Sequence, residues 1–390
     1  FAVSGTSLFS TAAVGNDKTV TASSIFLSGT DAANYSPNST ATTTASITVK
    51  TLNVTISGGA KTYDASTTAT PTYSSDQVSG DTLTITGTAT YADKNAGTNK
   101  TITATGISIS GASSGNYVLG NTTATTTATI SRRTLTITGT FTASPRVYDG
   151  TTDATGNVSV PGSPGITPVQ GSDSVSLIGT PVFTYASQNV GTGITITGSG
   201  YSITGTDSVN YQLTQLTLSS NITVRTVTIG GTLLVPSTKT YDATVATTIT
   251  DTTALTLVNV AAPDAGNSSK LALSGLVAQY ANKNVADAKT VSITSAGITG
   301  TSSSNYLLST TGAPTATSSI TLRSLNVTIA ASNRVYNAST AAAVTYSDNR
   351  VSGDVFTVSG TASFDSKNFG NLKTVTANSI TLSGADAANY

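Results

Sequence analysis

Residues 47–56 read ITVKTLNVTI, and within them a two-residue alternation changes phase. Ile47 and Val49 are apolar at odd positions, whereas Leu52, Val54 and Ile56 are apolar at even ones. Alternation marks a strand with one buried face, and a slip of one residue turns that face outward. The stretch is therefore expected to hold two strands facing two different cores, meeting at Lys50. The pattern recurs as TISRRTLTIT around Arg133, ITVRTVTIGG around Arg225 and ITLRSLNVTI around Arg323, where Ile320 and Leu322 precede Leu325, Val327 and Ile329. No Gly/Ser-rich or Pro-rich linker separates the halves, so neighbouring domains are expected to be stiffly coupled.

The chain is a tandem repeat. KTYDASTTA from Lys61 returns as RVYDGTTDA from Arg146, KTYDATVAT from Lys239 and RVYNASTAA from Arg334. The key aromatics are thus Tyr63, Tyr148, Tyr241 and Tyr336, at intervals of 85, 93 and 95 residues. Each is followed by Asp64, Asp149, Asp242 or Asn337. A second mark is YADKNAG from Tyr91, YASQNVG from Tyr185, YANKNVA from Tyr280 and FDSKNFG from Phe364. A third, Asn-Tyr, closes each unit at Asn116–Tyr117, Asn210–Tyr211, Asn305–Tyr306 and Asn389–Tyr390, and stands also at Tyr35. Self-similarity at a fixed period is the signature of an array of equivalent modules.

The junctions divide the chain into a partial repeat over 1–50, complete repeats over 51–133, 134–225 and 226–323, and a partial repeat over 324–390. Residues 1–35 align without a gap on 356–390, so both partial repeats contain the same middle portion. That overlap suits a window cut from a longer array better than two complementary halves. Short alternating runs such as DTLTITGTATY from Asp81, broken by Gly, Asn, Asp, Ser and Pro, predict an all-β chain. Each repeat is expected to be an antiparallel, Ig-like β-sandwich of about seven strands, and the array an extended rod.

Composition excludes much chemistry. The 390 residues include no Cys, His, Trp, Met or Glu. Without His there is no ordinary general base near neutral pH, and without Cys no thiolate, disulfide or zinc-thiolate site. An enzyme would need two Asp converging in one pocket, and none is expected. Eighteen basic residues balance 18 acidic ones and no basic stripe occurs, which argues against nucleic acid as a partner. No apolar run approaches the length that spans a bilayer. The lack of thiols favours an extracellular setting, and the missing initiator Met, leader pattern and spanning run are those expected of part of a mature, soluble polypeptide.

In sum the marks run basic-x-Tyr-Asp-Gly/Ala-Ser/Thr, Gly-Asp, Tyr-Ala-x-Lys-Asn-Val/Ala-Gly and Ser-Gly-x-x-x-x-Asn-Tyr. This order resembles the YDG repeat domain found in tandem in large bacterial surface proteins, including filamentous-haemagglutinin-type adhesins. The resemblance covers the whole chain, with departures at Asn337, at Gln188 and at the Ala that replaces Gly in three copies. It implies an extracellular β-rich stalk module with no enzymatic role. The repetition and the direct strand-to-strand junctions suggest neighbouring repeats of the same polypeptide as partners, together with copies of itself in a filament or sheath.

The marks themselves read as scaffold. Asp64 and its equivalents are expected to accept backbone N–H bonds in a tight turn, with the preceding Tyr burying its ring and tying its hydroxyl to main chain. Gly/Ala variation after the Asp argues against an obligatory left-handed backbone there. Lys61, Arg146, Lys239 and Arg334 read as solvated cations. Tyr91, Tyr185, Tyr280 and Phe364 read as core anchors, the Asn-Tyr tyrosines as further anchors, and Asn116 and its equivalents as turn residues. No calcium loop spacing occurs, so no cofactor is expected, although calcium at domain junctions is left open by ligand chemistry. The rival to a structural role is a ligand-binding adhesin that contacts glycans or a protein through the insertions at 160–173 and 257–270. Those insertions contain no Trp or Tyr.

Overall fold

The computed structural model describes residues 1–390, and apart from six 3-10 turns of three residues each its regular elements are all strands. Thr, Val and Ile are frequent in the strands, and their branched side chains suit a pleated, half-buried surface.

The repeat over 51–133 shows the plan. Val54–Ser57 pairs antiparallel with Thr72–Ser75, and Lys50–Leu52 pairs parallel with Tyr117–Leu119. A larger sheet has five strands in the spatial order Lys61–Thr62, Ala124–Ser131, Gly97–Ser110, Thr84–Tyr91 and Thr68–Ala69. Leu52, Val54 and Ile56 from the smaller sheets are buried together with Tyr63, Tyr91, Ile102, Ala104 and Ile130. The alternation is plain, since Thr51, Asn53 and Thr55 between them are exposed. Between Val54–Ser57 and Lys61–Thr62 the chain turns through Gly58 and Gly59, at φ 69° and 90°, which moves it from one sheet to the edge of the other. Only glycine enters that region without steric cost.

The expectation of purely antiparallel pairing is corrected here. Besides the pair at Lys50–Leu52, Lys61–Thr62 runs parallel to the end of Ala124–Ser131. The same two parallel contacts recur where Arg133–Thr138 meets Tyr211–Thr214, Arg146–Val147 meets Thr217–Thr223, Arg225–Gly231 meets Tyr306–Ser309 and Thr238–Thr240 meets Thr315–Thr321. The cause is directional: the chain enters and leaves each repeat travelling the same way, so its first strands lie parallel to its last. Parallel neighbours need a long crossover, and here most of the repeat supplies it.

Junctions are short. Ala124–Ser131 is followed after Arg132 alone by Arg133–Thr138, and Thr217–Thr223 after Val224 alone by Arg225–Gly231. Ile130 and Leu135 are both fully buried, as are Ile222 and Val227, so the change of phase is real. Val49, Val224 and Leu322 sit on the crossings and are exposed, which places the slip one or two residues earlier than the apolar pattern suggests for Val49 and Leu322.

The chain forms two compact units, one of 1–141, 160–182 and 198–217, the other of 142–159, 183–197 and 218–390. In the first, the core that begins with Leu52 and Tyr63 continues into Leu135 and Tyr211, with Ile166, Val175 and Ile203 packed against it. In the second, Ile229, Tyr241, Tyr280, Val291 and Ile320 form the core, and Val351 and Tyr390 pack on it. Successive repeats inside a unit therefore share apolar packing rather than each facing a wholly separate core.

Candidate functional site

Each Tyr-Asp turn is built around its own basic residue. Asp64 Oδ1 accepts from the Ser66 N–H at 3.0 Å and from Lys61 Nζ at 2.8 Å. Lys61 also donates to the carbonyls of Ser66 and Thr68, at 2.8 and 3.0 Å, and lies 5.3 Å from the Tyr91 ring centroid. Arg146 repeats this with Asp149, Asp153 O and the Tyr185 ring, Lys239 with Asp242, Thr244 O and the Tyr280 ring, and Arg334 with Ser339 O and the Phe364 ring. The side chains of Lys61, Arg146 and Lys239 are only 16, 7 and 15% exposed. They are not solvated cations: each gathers carbonyls that a tight turn leaves without strand partners, and each stacks on the aromatic of the second mark.

The residue after the Asp also departs from the ordinary backbone expected of it. Ala65, Ala243 and Ala338 have φ of 63°, 63° and 58°, and Gly150 has 78°. All four are left-handed, although Ala occupies three. The bond from Asp64, Asp149, Asp242 or Asn337 to the N–H two residues on closes the turn in this form. Left-handed backbone costs an L-residue about 1–2 kcal/mol, and the gathered cation and carboxylate offset it. Gly150 is further required by space, because a Cβ there would sit 3.0 Å from Pro263 Cγ.

The tyrosines reach beyond their own repeat. Tyr63 is buried, and its hydroxyl donates not to main chain but to Asp173 Oδ2 at 2.8 Å. Tyr211 donates to the same oxygen at 2.7 Å while accepting from the Gln170 N–H at 2.9 Å. The two rings meet edge to face, 5.4 Å between centroids. The same triad recurs as Tyr148, Asp264 and Tyr306, both hydroxyls 2.9 Å from Asp264 Oδ2, and as Tyr241, Asp354 and Tyr390, at 3.0 and 2.6 Å. Each pair of rings is again edge to face, 5.3 and 5.6 Å apart. Thus the first mark of one repeat and the last mark of the next close on one carboxylate.

The remaining marks complete the joint. Each Asn stands at the end of a 3-10 turn, and its side-chain oxygen accepts a backbone N–H from the second mark of the preceding repeat. Asn116 takes Val14, Asn210 takes Ala96, Asn305 takes Val190 and Asn389 takes Val285, all at 2.9 Å. These residues do more than turn the chain. Arg133 and Arg225 reach back to the carbonyls of Tyr63 and Tyr148, at 3.5 and 3.3 Å, and the Arg323 N–H donates to Asn389 O at 3.0 Å. Lys50 instead donates to Asp76 O at 2.9 Å. Tyr91, Tyr185 and Tyr280 are buried, whereas Phe364 is half-buried and Tyr336 is 61% exposed.

Electrostatics at the joint are strongly biased. Burial pushes the Asp173 carboxyl up, but hydrogen bonds from Tyr211, Tyr63 and Lys94 outweigh it and leave the acid below its usual range. Asp264 and Asp354 are lowered against the same burial, by their own tyrosines and lysines. Burial first, and then Asp173, push the Tyr211 hydroxyl up to about 12, and Tyr63, Tyr148, Tyr241, Tyr306 and Tyr390 are raised by the same pair of causes. A carboxylate held by two phenols and an ammonium is an ionised, fully satisfied centre, suited to holding surfaces together. No three potential metal ligands of Asp type converge. Asp149 is engaged by Arg146 and Thr151, and Asp153 by the Thr155 N–H.

Asp173, Asp264 and Asp354, with Lys94 and Lys283, are the residues that sequence reasoning missed. Of these aspartates only Asp354 stands in the Gly-Asp mark, since Asp173 follows Ser172 and Asp264 follows Pro263; the signal that recurred was the Lys of YADKNAG, at Lys94 and Lys283.

An all-β tandem array joined by one repeated side-chain constellation is thus defined. The YDG domain model matches residues 48–128, 131–218, 223–314 and 321–390, and the chain belongs to the YDG domain family. Neither a curated protein nor a solved structure matched it.

Proposed function

We propose that this chain is a structural, adhesive segment of a large extracellular protein of the bacterial surface, a stalk or filament-forming part akin to filamentous-haemagglutinin-type adhesins. In this reading each YDG repeat is an Ig-like β-sandwich, and the array extends as a rod whose task is length and stiffness. The observation that supports it most is the threefold recurrence of the Tyr-Asp-Tyr joint. Side chains invested in holding neighbours are what a stalk needs. Neighbouring repeats are the first partners, and copies of the chain in a filament or sheath the second. No helix is long and apolar enough to cross a membrane.

The adhesin reading, with glycan or protein contacts on the inserted loops, has less support. The loop at 160–173 ends in Asp173, and that at 257–270 carries Asp264 and Lys270, so both insertions are engaged in joints. Small-angle scattering from the 390-residue chain tests the rod: an extended profile is expected, and a compact globule refutes it. Protease shaving of intact source cells tests the location, with release of the repeats expected.

A further inference from the structure

The residues at equivalent joints vary in step with one another. Lys94 lies 3.3 Å from Asp173 and 3.6 Å from Asp207, and Lys283 lies 3.2 Å from Asp354 and 3.1 Å from Asp386. In the joint between them in sequence, Gln188 stands at the lysine position and Ser302 at the position of Asp207 and Asp386. Ser302 Oγ is 3.2 Å from Asp264 Oδ1, and the cation beside that carboxylate is Lys270, at 3.4 Å. Lys270 comes from the following repeat's own insertion, not from the preceding repeat. A fourth pair, Ala12 and Ser113, keeps the correspondence: where the lysine is missing, the second aspartate is missing too.

We propose that these positions form a pairing code that decides which YDG module can follow which. A module ending in a lysine face accepts a front with two carboxylates, and one ending in a glutamine face accepts a front with serine and a built-in lysine. The physical basis is the burial of the central acid: the side chains of Asp173, Asp264 and Asp354 are 5, 2 and 1% exposed. A glutamine face set on the Asp354–Asp386 front would leave two close carboxylates without the ammonium that bridges them, and an undercompensated buried charge is unfavourable. A lysine face set on the Asp264–Ser302 front would bring two ammonium groups to one carboxylate. Each mismatch is repulsive, which is how partner choice is usually enforced. The insertion at 257–270 acquires a role in this scheme, since it supplies the cation that Gln188 lacks.

The code is tested in the full 390-residue chain by amide hydrogen exchange at Val190 and Val285, whose N–H groups cross the two joints to Asn305 and Asn389. Lys283→Gln is expected to speed exchange at Val285 about three- to tenfold and leave Val190 unchanged, the size of a partly exposed ion pair on a buried acid. Adding Asp386→Ser should recover part of the loss. Gln188→Lys, at an exposed position that folding tolerates, should fail to protect Val190 and should protect it only when combined with Lys270→Ser and Ser302→Asp. An unchanged Val285 rate in Lys283→Gln, or a slower Val190 rate in Gln188→Lys alone, overturns the proposal.

Discussion

Tyr63 and Tyr211 belong to successive repeats and donate their hydroxyl protons to the same oxygen of Asp173, at 2.8 and 2.7 Å. Their rings also touch edge to face, so one contact combines apolar packing with two hydrogen bonds to a charge.

Removing either hydroxyl should be costly out of proportion to its size. Tyr63→Phe and Tyr211→Phe keep both rings and delete one bond to a buried carboxylate, worth about 1.5–3 kcal/mol each. Because both donors share Asp173, the double variant should fall short of the sum, as coupled residues do. Denaturant unfolding of the four proteins, followed through the transition of the first compact unit, measures the coupling; strict additivity would show that the two bonds act independently.

The joints should fail in acid and again in strong alkali. Burial raises the Asp173, Asp264 and Asp354 carboxyls, yet tyrosine and lysine donors outweigh it and leave them lowered, so they contribute stability above the ordinary Asp value. That contribution is lost as pH falls from about 4 through the lowered folded-state values. Tyrosine has the opposite sign: its raised hydroxyls contribute below pH about 10, and the contribution fades as pH climbs towards the folded values. For Tyr211 the climb ends at about 12. Thermal midpoints across pH 2–7 should drop steeply at the acid end, with a shallower slope in Asp173→Asn. Ultraviolet titration should show a set of late-ionising phenols, one fewer in Tyr211→Phe.

The left-handed turns predict opposite outcomes for the same pair of residues. Ala65→Gly removes a side chain from backbone at φ 63° and should stabilise by up to about 1 kcal/mol, the relief of strain less the entropy that glycine adds to the unfolded chain. Gly150→Ala should destabilise by about 1–3 kcal/mol, because the new Cβ meets Pro263 at 3.0 Å and the backbone is left-handed as well. Paired melting curves check both signs.

Much of the scaffold was legible because it follows local rules. The alternation at Leu52, Val54 and Ile56 marks buried faces, and the Asp64 turn follows from side-chain chemistry two residues away. Parallel pairing was not legible, since nothing near Lys61 says that its strand will lie beside residues some seventy positions later. The joint was legible only in part. Tyr63, Asn210 and Tyr211 stood out by recurrence, but their partner Asp173 lies 110 residues from Tyr63, and a once-per-repeat residue looks the same whether it serves its own repeat or its neighbour. Ala65 misleads for a different reason: a position that tolerates Ala reads as one of ordinary φ, whereas Lys61 and Asp64 hold the turn firmly enough to impose the rarer one.

The parallel pairing of Lys61–Thr62 with the end of Ala124–Ser131 bears on how a repeat responds to tension. Pulling on the two ends of a repeat draws its first strand one way and its last strand the other, along their common axis. Their hydrogen bonds are then loaded in shear and must yield together, unlike those of a hairpin peeled from its open end, which yield singly. The chain leaves Ser131 and enters the next repeat at Arg133, so the load passes from one sheared pair almost directly to the next.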